Sequence, residues 1–239
     1  MSAMFRVITK ADYWACLEQF PDFEGPAGLK HVQDLFVLER LRGADRAAIC
    51  EAGGGNSRIL ARLCRRNECW NVDKLEGAGQ GPVENRNAAG VRLVRAYMGE
   101  FSAEIPSDHF DYVVSISVLE HVSGPKIEPF LRDCLRALRP GGLMLHAVDL
   151  YLPDPGDADS GSHSPAMLRA LLDAASALGP RAAWLEPPLA DEHTCARACH
   201  ATNTDQVLFA WNKTVPALKN LRARAQSCSL AMGMVKREP

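Results

Sequence analysis

The stretch "AAICEAGGGNSRIL", Ala47 to Leu60, decides how the rest of the chain is read. "RAAIC" has the apolar character of a buried strand, and "NSRILARLCRR" continues as an amphipathic helix with Ile59, Leu60 and Leu63 on its inner face. A glycine cluster between a strand and a helix is either a plain tight turn or a cradle for a nucleotide-like ligand. A dinucleotide cradle follows G-x-G-x-x-G, and its third glycine lets the helix pack closely on the strand. Gly53 and Gly55 supply the first two glycines, but Arg58 holds the third position. The pattern that fits is acidic-x-Gly-x-Gly, from Glu51 to Gly55. The glycines permit positive φ and close approach of a ligand to the backbone. Glu51, at the strand end, is placed to face a cationic group such as an ammonium, which a dinucleotide pyrophosphate does not offer.

Outward from this turn, helices and strands alternate. "LKHVQDLFVLERL" sets Leu29, Val32, Leu35, Phe36 and Leu41 near helical spacing, and Gly43 stops it. "CWNVDK" is a short strand ending in Asp73, "GAGQGPVENRNAAG" is loop-like, and "VRLVRAY" is a third strand. "FDYVVSISVLEHV" has the apolar, β-branched composition of a buried parallel strand. A helix, "IEPFLRDCLRALRPGG", and a strand, "LMLHAVDL", follow. Next come the turn-rich "YLPDPGDADSGSHSP", a helix at "AMLRALLDAASALG", the irregular "LADEHTCARACHATNTDQ" and a final strand at "VLFAWNK". Such alternation predicts an α/β fold, a mostly parallel sheet with helices on both faces. Ligands in these sheets bind beyond the carboxyl ends of the strands.

Composition narrows the function classes. The 239 residues are 47% hydrophobic and 23% charged, which suits one globular domain with a real core. We expect an N-terminal helical segment over 1–45 and one domain over 46–239, with substrate-side loops at 151–165 and 187–206. A net charge of −2 gives no overall attraction for nucleic acid or a membrane surface. The stretch from Lys213 to the end is locally basic and reads as a solvated helix face and a frayed tail. No apolar run approaches the ~20 residues of a membrane span, and "MSAMFRVITKADYW" lacks the core of a signal peptide. Cytoplasm is the expected compartment. The eight scattered cysteines do not resemble a secreted disulfide framework.

Taken together, these motifs resemble the class I S-adenosylmethionine-dependent methyltransferases over roughly Ala47 to Leu150, with agreement in element order elsewhere. The resemblance implies a Rossmann-like sheet of seven strands, the last antiparallel, with "VLFAWNK" as that strand beside "LMLHAVD". It implies S-adenosyl-L-methionine as the cofactor. Glu51, Gly53 and Gly55 match the turn that cradles the methionine part; Ser57 stands where many members carry a third glycine, and a hydroxyl there can cap the helix. Asp73 matches the acid that binds the ribose hydroxyls. Glu100 in "YMGEFSAEIPSDHFDYV" matches the adenine contact, with Phe101 as a cover for the ring. "VLEHV…LRALRPGG" is similar to another family run; it implies that Ser115 to Val118, Ser117 included, pass under the cofactor and that Glu120 and His121 sit near the methyl-transfer centre.

Acceptor-side candidates fall after the fourth and fifth strands of this scheme. The cofactor activates the methyl group; the protein must align the acceptor and, for an oxygen or nitrogen acceptor, supply a base. His121 and Asp149 are the first-ranked bases, and His146, Tyr151 and His163 are candidate substrate contacts. His146 and Asp149 are three apart on a strand, so they point to opposite faces. His193, Cys195, Cys199 and His200 lie too close together, with no distant partner pair, for a structural metal site, so no metal is expected. Trp184 and Trp211 read as core residues. The leading function is methyl transfer to an oxygen or nitrogen of a small polar acceptor, such as a sugar, glycan or nucleotide sugar, by a monomer or homodimer without a nucleic-acid partner. The alternatives are a non-catalytic partner or scaffold that keeps the cofactor site, and a nicotinamide-dependent dehydrogenase, which Arg58 disfavours. An open acceptor cleft lined by His121 or Asp149 separates enzyme from scaffold.

Overall fold

In the computed structural model, residues 5–23, 29–77, 81–153, 165–184 and 225–238 are described. Their strands are β1 (Phe5–Val7), β2 (Ala48–Ala52), β3 (Glu68–Val72), β4 (Val91–Val94), β5 (Phe110–Ile116), β6 (Leu138–Pro153), β7 (Ala182–Trp184) and β8 (Ala225–Lys236). The helices are α1 (Lys10–Gln19), α2 (Leu29–Arg40), α3 (Arg58–Leu63), α4 (Gly124–Ala137) and α5 (Pro165–Ser176). One sheet runs β1-β8-β6-β5-β2-β3-β4, with β7 also on β8. Strands β2 to β6 pair in parallel, and β8 is antiparallel to β6, β1 and β7.

The mostly parallel sheet with an antiparallel last strand is as expected, but it has 8 strands among the described residues rather than seven. The N-terminal segment is not helical throughout, because it opens with β1. The strand beside β6 is not "VLFAWNK", which lies outside the described residues, but Ala225–Lys236 from the stretch expected to be a frayed tail. The reason is burial: every residue from Cys228 to Met234 is buried, and a strand covered on both faces reads as a continuous apolar run. Lys236 is no part of a solvated face, since its Nζ donates to Leu138 O at 2.7 Å and to Asp108 Oδ1 at 2.5 Å.

Strand parity sorts the core onto two faces. Cys50, Val113, Met144 and Val148 pack with Phe130, Leu131 and Leu171 from α4 and α5. Ile49, Val114, Leu145 and Ala147 pack with Val32, Leu35 and Phe36 of α2 and Ile59 and Leu60 of α3. The buried thiols Cys50, Cys69 and Cys134 serve as small apolar side chains, and burial pushes each of them up in pKa.

After β4 the chain turns at residues 97–101, held from below by α4. Asp133 is fully buried. Its Oδ2 accepts the N–H groups of Gly99 at 2.8 Å and Phe101 at 3.0 Å, and its Oδ1 accepts Arg136 Nε at 2.8 Å. Removing that carboxylate strands two amides and a guanidinium. We expect Asp133→Ala to cost about 2–4 kcal/mol, read as a lower urea midpoint with an unchanged slope. An unchanged midpoint would show that the turn does not depend on Asp133.

Candidate functional site

The carboxyl ends of β2, β3 and β5 and the turn after β4 open onto a cavity of about 970 Å³. Its wall at β2 is the glycine turn. Gly53 has φ +69°, and a Cβ there would stand 2.7 Å from Val118 Cγ2; Gly55 has φ +55°, with Pro82 Cδ 2.9 Å from a Cβ. Both positions therefore exclude side chains by conformation and by contact. Ser57 is the N-cap of α3 and accepts the Leu60 N–H at 3.0 Å. Its hydroxyl also donates to Glu51 Oε2. Asn87, from the segment between β3 and β4, donates to Gly55 O at 3.0 Å and accepts the Ser57 N–H at 3.0 Å, which braces the turn from the other side.

Glu51 faces this cavity from the end of β2 and is 4% exposed. Burial pushes its pKa up to about 7, helped by the Asp34 and Asp73 charges and opposed by the Ser57 hydrogen bond and the Arg58 charge. Asp73 also lines the cavity; Oδ2 accepts the Gly55 N–H at 2.9 Å and Oδ1 the Leu75 N–H at 2.7 Å. Each oxygen keeps a lone pair for a further donor. Asp73 is thus both a turn cap and a cavity acid. Glu100 lines the cavity and pairs with Lys74 at 3.3 Å. Phe101 is outside the wall and 47% exposed, because its backbone is turned outward at φ +54°. The aromatic side chains of Tyr97 and Phe130 do line the cavity.

The acceptor-side residues divide. His121 and Ser117 line the cavity. Asp149 stands behind the wall: its Oδ1 accepts Gln33 Nε2 at 2.7 Å and lies 3.3 Å from Ser117 Oγ, which donates to Gln33 Oε1 at 2.7 Å. His146 does not line the cavity. Parity puts it on the α4 face, opposite Asp149, where it is fully buried with Nδ1 2.8 Å from Ser115 Oγ and its ring edge-on to Phe130. Burial lowers its pKa to about 3, so the imidazole is neutral. The side chain of Tyr151, His163, Trp211 and the group from His193 to His200 lie outside the described residues. Among the described residues no cluster is suited to a metal ion, and no helix is long and apolar enough to cross a membrane.

Several site residues carry no local signal in the sequence. Gln33 and Asp34 sit within the apolar run of α2, and both are buried against the site. Asp34 holds Arg58 in a two-pronged ion pair, Nε at 2.5 Å and Nη2 at 2.9 Å, which explains the arginine at the third glycine position: it clamps α2 onto the start of α3. Glu120 is 2% exposed, and neither carboxyl oxygen has a hydrogen-bond partner among the described residues. Burial and the neighbouring Asp149 carboxylate hold its proton well above the usual carboxylate range. Two polar residues interrupting an apolar helical run are the one cue that marks Gln33 and Asp34.

A glycine turn, acids at two strand ends and a cavity thus meet at the switch from β2 to β5, where open parallel sheets bind their ligands. Residues 50–146 match a family described as "Methyltransferase domain". Over that stretch the chain is similar to methyltransferase domains. A curated relative, ubiquinone biosynthesis O-methyltransferase of Maricaulis maris (strain MCS10), is 29% identical over 117 residues, 48% of this chain. The match spans 45% of that enzyme, so the chain spans about half the length of its curated relative. Geranyl diphosphate C-methyltransferase from Streptomyces coelicolor A3(2) superposes with a TM-score of 0.56 at 13% identity, over 99% of this chain and 91% of that one. Phosphoethanolamine N-methyltransferase 2 of Haemonchus contortus gives 0.55 at 15% identity, over 96% of this chain and 58% of that one. At these identities the solved structures speak for the fold alone.

The raised Glu51 pKa has a definite sign in stability. Between the ordinary value of 4.5 and about 7, the folded chain holds a proton that the unfolded chain has released. Unfolding free energy therefore falls as pH rises through that window, by up to about 3 kcal/mol in all. We expect Glu51→Gln to flatten this slope, seen in urea midpoints at about pH 5 and about pH 7.5. A wild-type slope retained in the variant would mean that Glu51 is ionised in the fold.

Proposed function

We propose that the protein is an S-adenosylmethionine-dependent methyltransferase acting on an oxygen or nitrogen of a small polar acceptor. The observation that carries this reading is that Glu51, Gly53, Gly55, Asp73, Glu100 and Ser117, drawn from four strand ends, line one cavity inside the matched domain. In this reading Glu51 receives the cofactor's ammonium, Asp73 its ribose hydroxyls, and Glu100 with Tyr97 its adenine. The cofactor supplies an already activated methyl group when bound. The chain supplies alignment and proton removal.

His121 is the base on the cavity wall itself. Asp149 reaches the cavity only through Ser117, so its part is to accept a proton passed along that hydroxyl or to hold Gln33 and Ser117 in place. The cavity is open and His121 lines it, which favours an enzyme over a scaffold that merely retains the cofactor site. The three relatives carry O-, C- and N-methyltransferase names, so the shared fold does not choose the acceptor atom.

Calorimetry with S-adenosylhomocysteine and with NAD tests the cofactor. We expect the first to bind and the second not to. Glu51→Ala and Asp73→Ala should each weaken the binding about tenfold or more, some 1.4 kcal/mol, while the circular dichroism stays that of the wild type. Unchanged affinity in both variants, or binding of NAD alone, would overturn the reading. Methyl-labelled cofactor with fractionated metabolites then identifies the acceptor.

A further inference from the structure

A methyl donor with a sulfonium differs from its spent product by one positive charge. On the proposed cofactor reading, which this inference rests on, the ammonium and carboxylate are common to both, and only the sulfonium is lost on transfer. Glu51 serves the ammonium and Asp73 the ribose in that reading. Strand β2 stands between β3 and β5 in the sheet. A ligand held at Glu51 on β2 and at Asp73 beyond β3 therefore has the β5 side left for its methyl group, where Ser117 and His121 line the cavity.

Two acids stand behind Ser117. Its backbone has φ +52°, a conformation that costs energy in a residue other than glycine. The hydroxyl is thereby kept between the cavity and the interior: it donates to Gln33 Oε1 at 2.7 Å and lies 3.3 Å from Asp149 Oδ1. Gln33 Nε2 donates to that same Asp149 oxygen at 2.7 Å. Glu120, in the short 3-10 turn Leu119–His121 after β5, is 2% exposed, and both its carboxyl oxygens lack a hydrogen-bond partner among the described residues. Ser229, opposite Asp149 in the β6–β8 register, likewise keeps a buried hydroxyl without a partner. No basic side chain is hydrogen-bonded to either acid among the described residues, and Lys30 of α2 acts on Glu120 less than Asp149 does. Neighbouring buried acids hold one proton and one negative charge between them. A buried negative charge met only by an amide and a hydroxyl is costly, and a cation beyond Ser117 offsets that cost.

We propose that the Asp149–Glu120 pair, acting through the Ser117 hydroxyl, is the counter-charge of the cofactor's sulfonium and lets the site tell the charged methyl donor from its neutral sulfide product. The attraction runs through the protein interior, where charges are weakly screened. It makes and breaks no bond. When the methyl group leaves, the sulfur becomes neutral, the pair loses its partner, and the hold on the product weakens relative to the donor. Glu120 and Ser117 are positioning residues here: the first keeps the pair at a single charge, and the second carries its effect to the cavity wall.

The test measures the affinities of the whole chain for S-adenosylmethionine and S-adenosylhomocysteine by calorimetry, at one pH and one salt concentration, and takes their ratio. The two ligands share everything but the methyl and its charge, so a change of ratio between wild type and variant is free of what Glu51 and Asp73 contribute. Asp149→Asn should lower the ratio of donor to product affinity at least fivefold, about 1 kcal/mol, while the product keeps its own affinity. An Asp149 that merely held Gln33 and Ser117 in place would weaken both ligands alike and leave the ratio as it was, which overturns the inference. Ser117→Ala should move the ratio in the same direction, and it decides the matter if Asp149→Asn does not fold; an unchanged ratio there overturns the inference too. Infrared spectra of the product-saturated protein at neutral pH should lose a protonated-carboxyl band in Glu120→Gln, and an unaltered band overturns the pair. Failure of both ligands to bind overturns the cofactor reading and this inference with it, whereas binding of both with an insensitive ratio overturns this inference alone.

Discussion

One hydroxyl ties the site together. Ser57 caps α3 through the Leu60 N–H and donates to Glu51 at the end of β2. Its reach spans the glycine turn, so strand, turn and helix keep one geometry. The turn in turn needs Gly53 and Gly55 at positive φ, because Val118 and Pro82 close in on them. The hydrogen bond also opposes the effect of burial on Glu51 and keeps its proton exchangeable near neutrality. A carboxyl in that state can be neutral while the cavity is empty and charged opposite an ammonium.

Helix α2 makes the second constraint. Its apolar residues bury against β2, β5 and β6, while Gln33 and Asp34 turn polar atoms to the same side. Gln33 bridges Ser117 and Asp149, and Asp34 clamps Arg58. A buried amide or carboxylate without partners would cost several kcal/mol, so these contacts fix how α2 lies across the sheet. The same roof sets the environment of Glu120, whose carboxyl is buried beside Asp149 and under the field of Lys30. Two acids in such a place do not both ionise readily.

The cavity wall carries charges of both signs. The acids Glu51, Asp73 and Glu100 come from strand ends and the β4 turn, and the lysines come from the first turns of α2 and α4. A chain with a net charge of only −2 can therefore still offer a polarised cleft to a zwitterionic ligand.

The order of strands and helices, the parallel sheet and the acids at its strand ends were legible in the sequence, because each rests on local rules: period, glycine turns and the residue that follows a strand. Glu51, Gly53 and Gly55 were found that way, and Asp73, Glu100, Ser117 and His121 through the family resemblance; all of them line one cavity. What only the tertiary structure decided depends on depth and on partners distant in the chain. Parity placed His146 and Asp149 on opposite faces, but not His146 in the core beneath α4. Phe101 points outward because its backbone is held by Asp133, 32 residues away in sequence. The last strand is Ala225–Lys236 because β6 runs on to Pro153 and its long edge pairs with a buried segment that local composition made look like a tail. Arg58 spoils a dinucleotide motif in the sequence; in the fold it is one half of the ion pair that fastens the roof of the site.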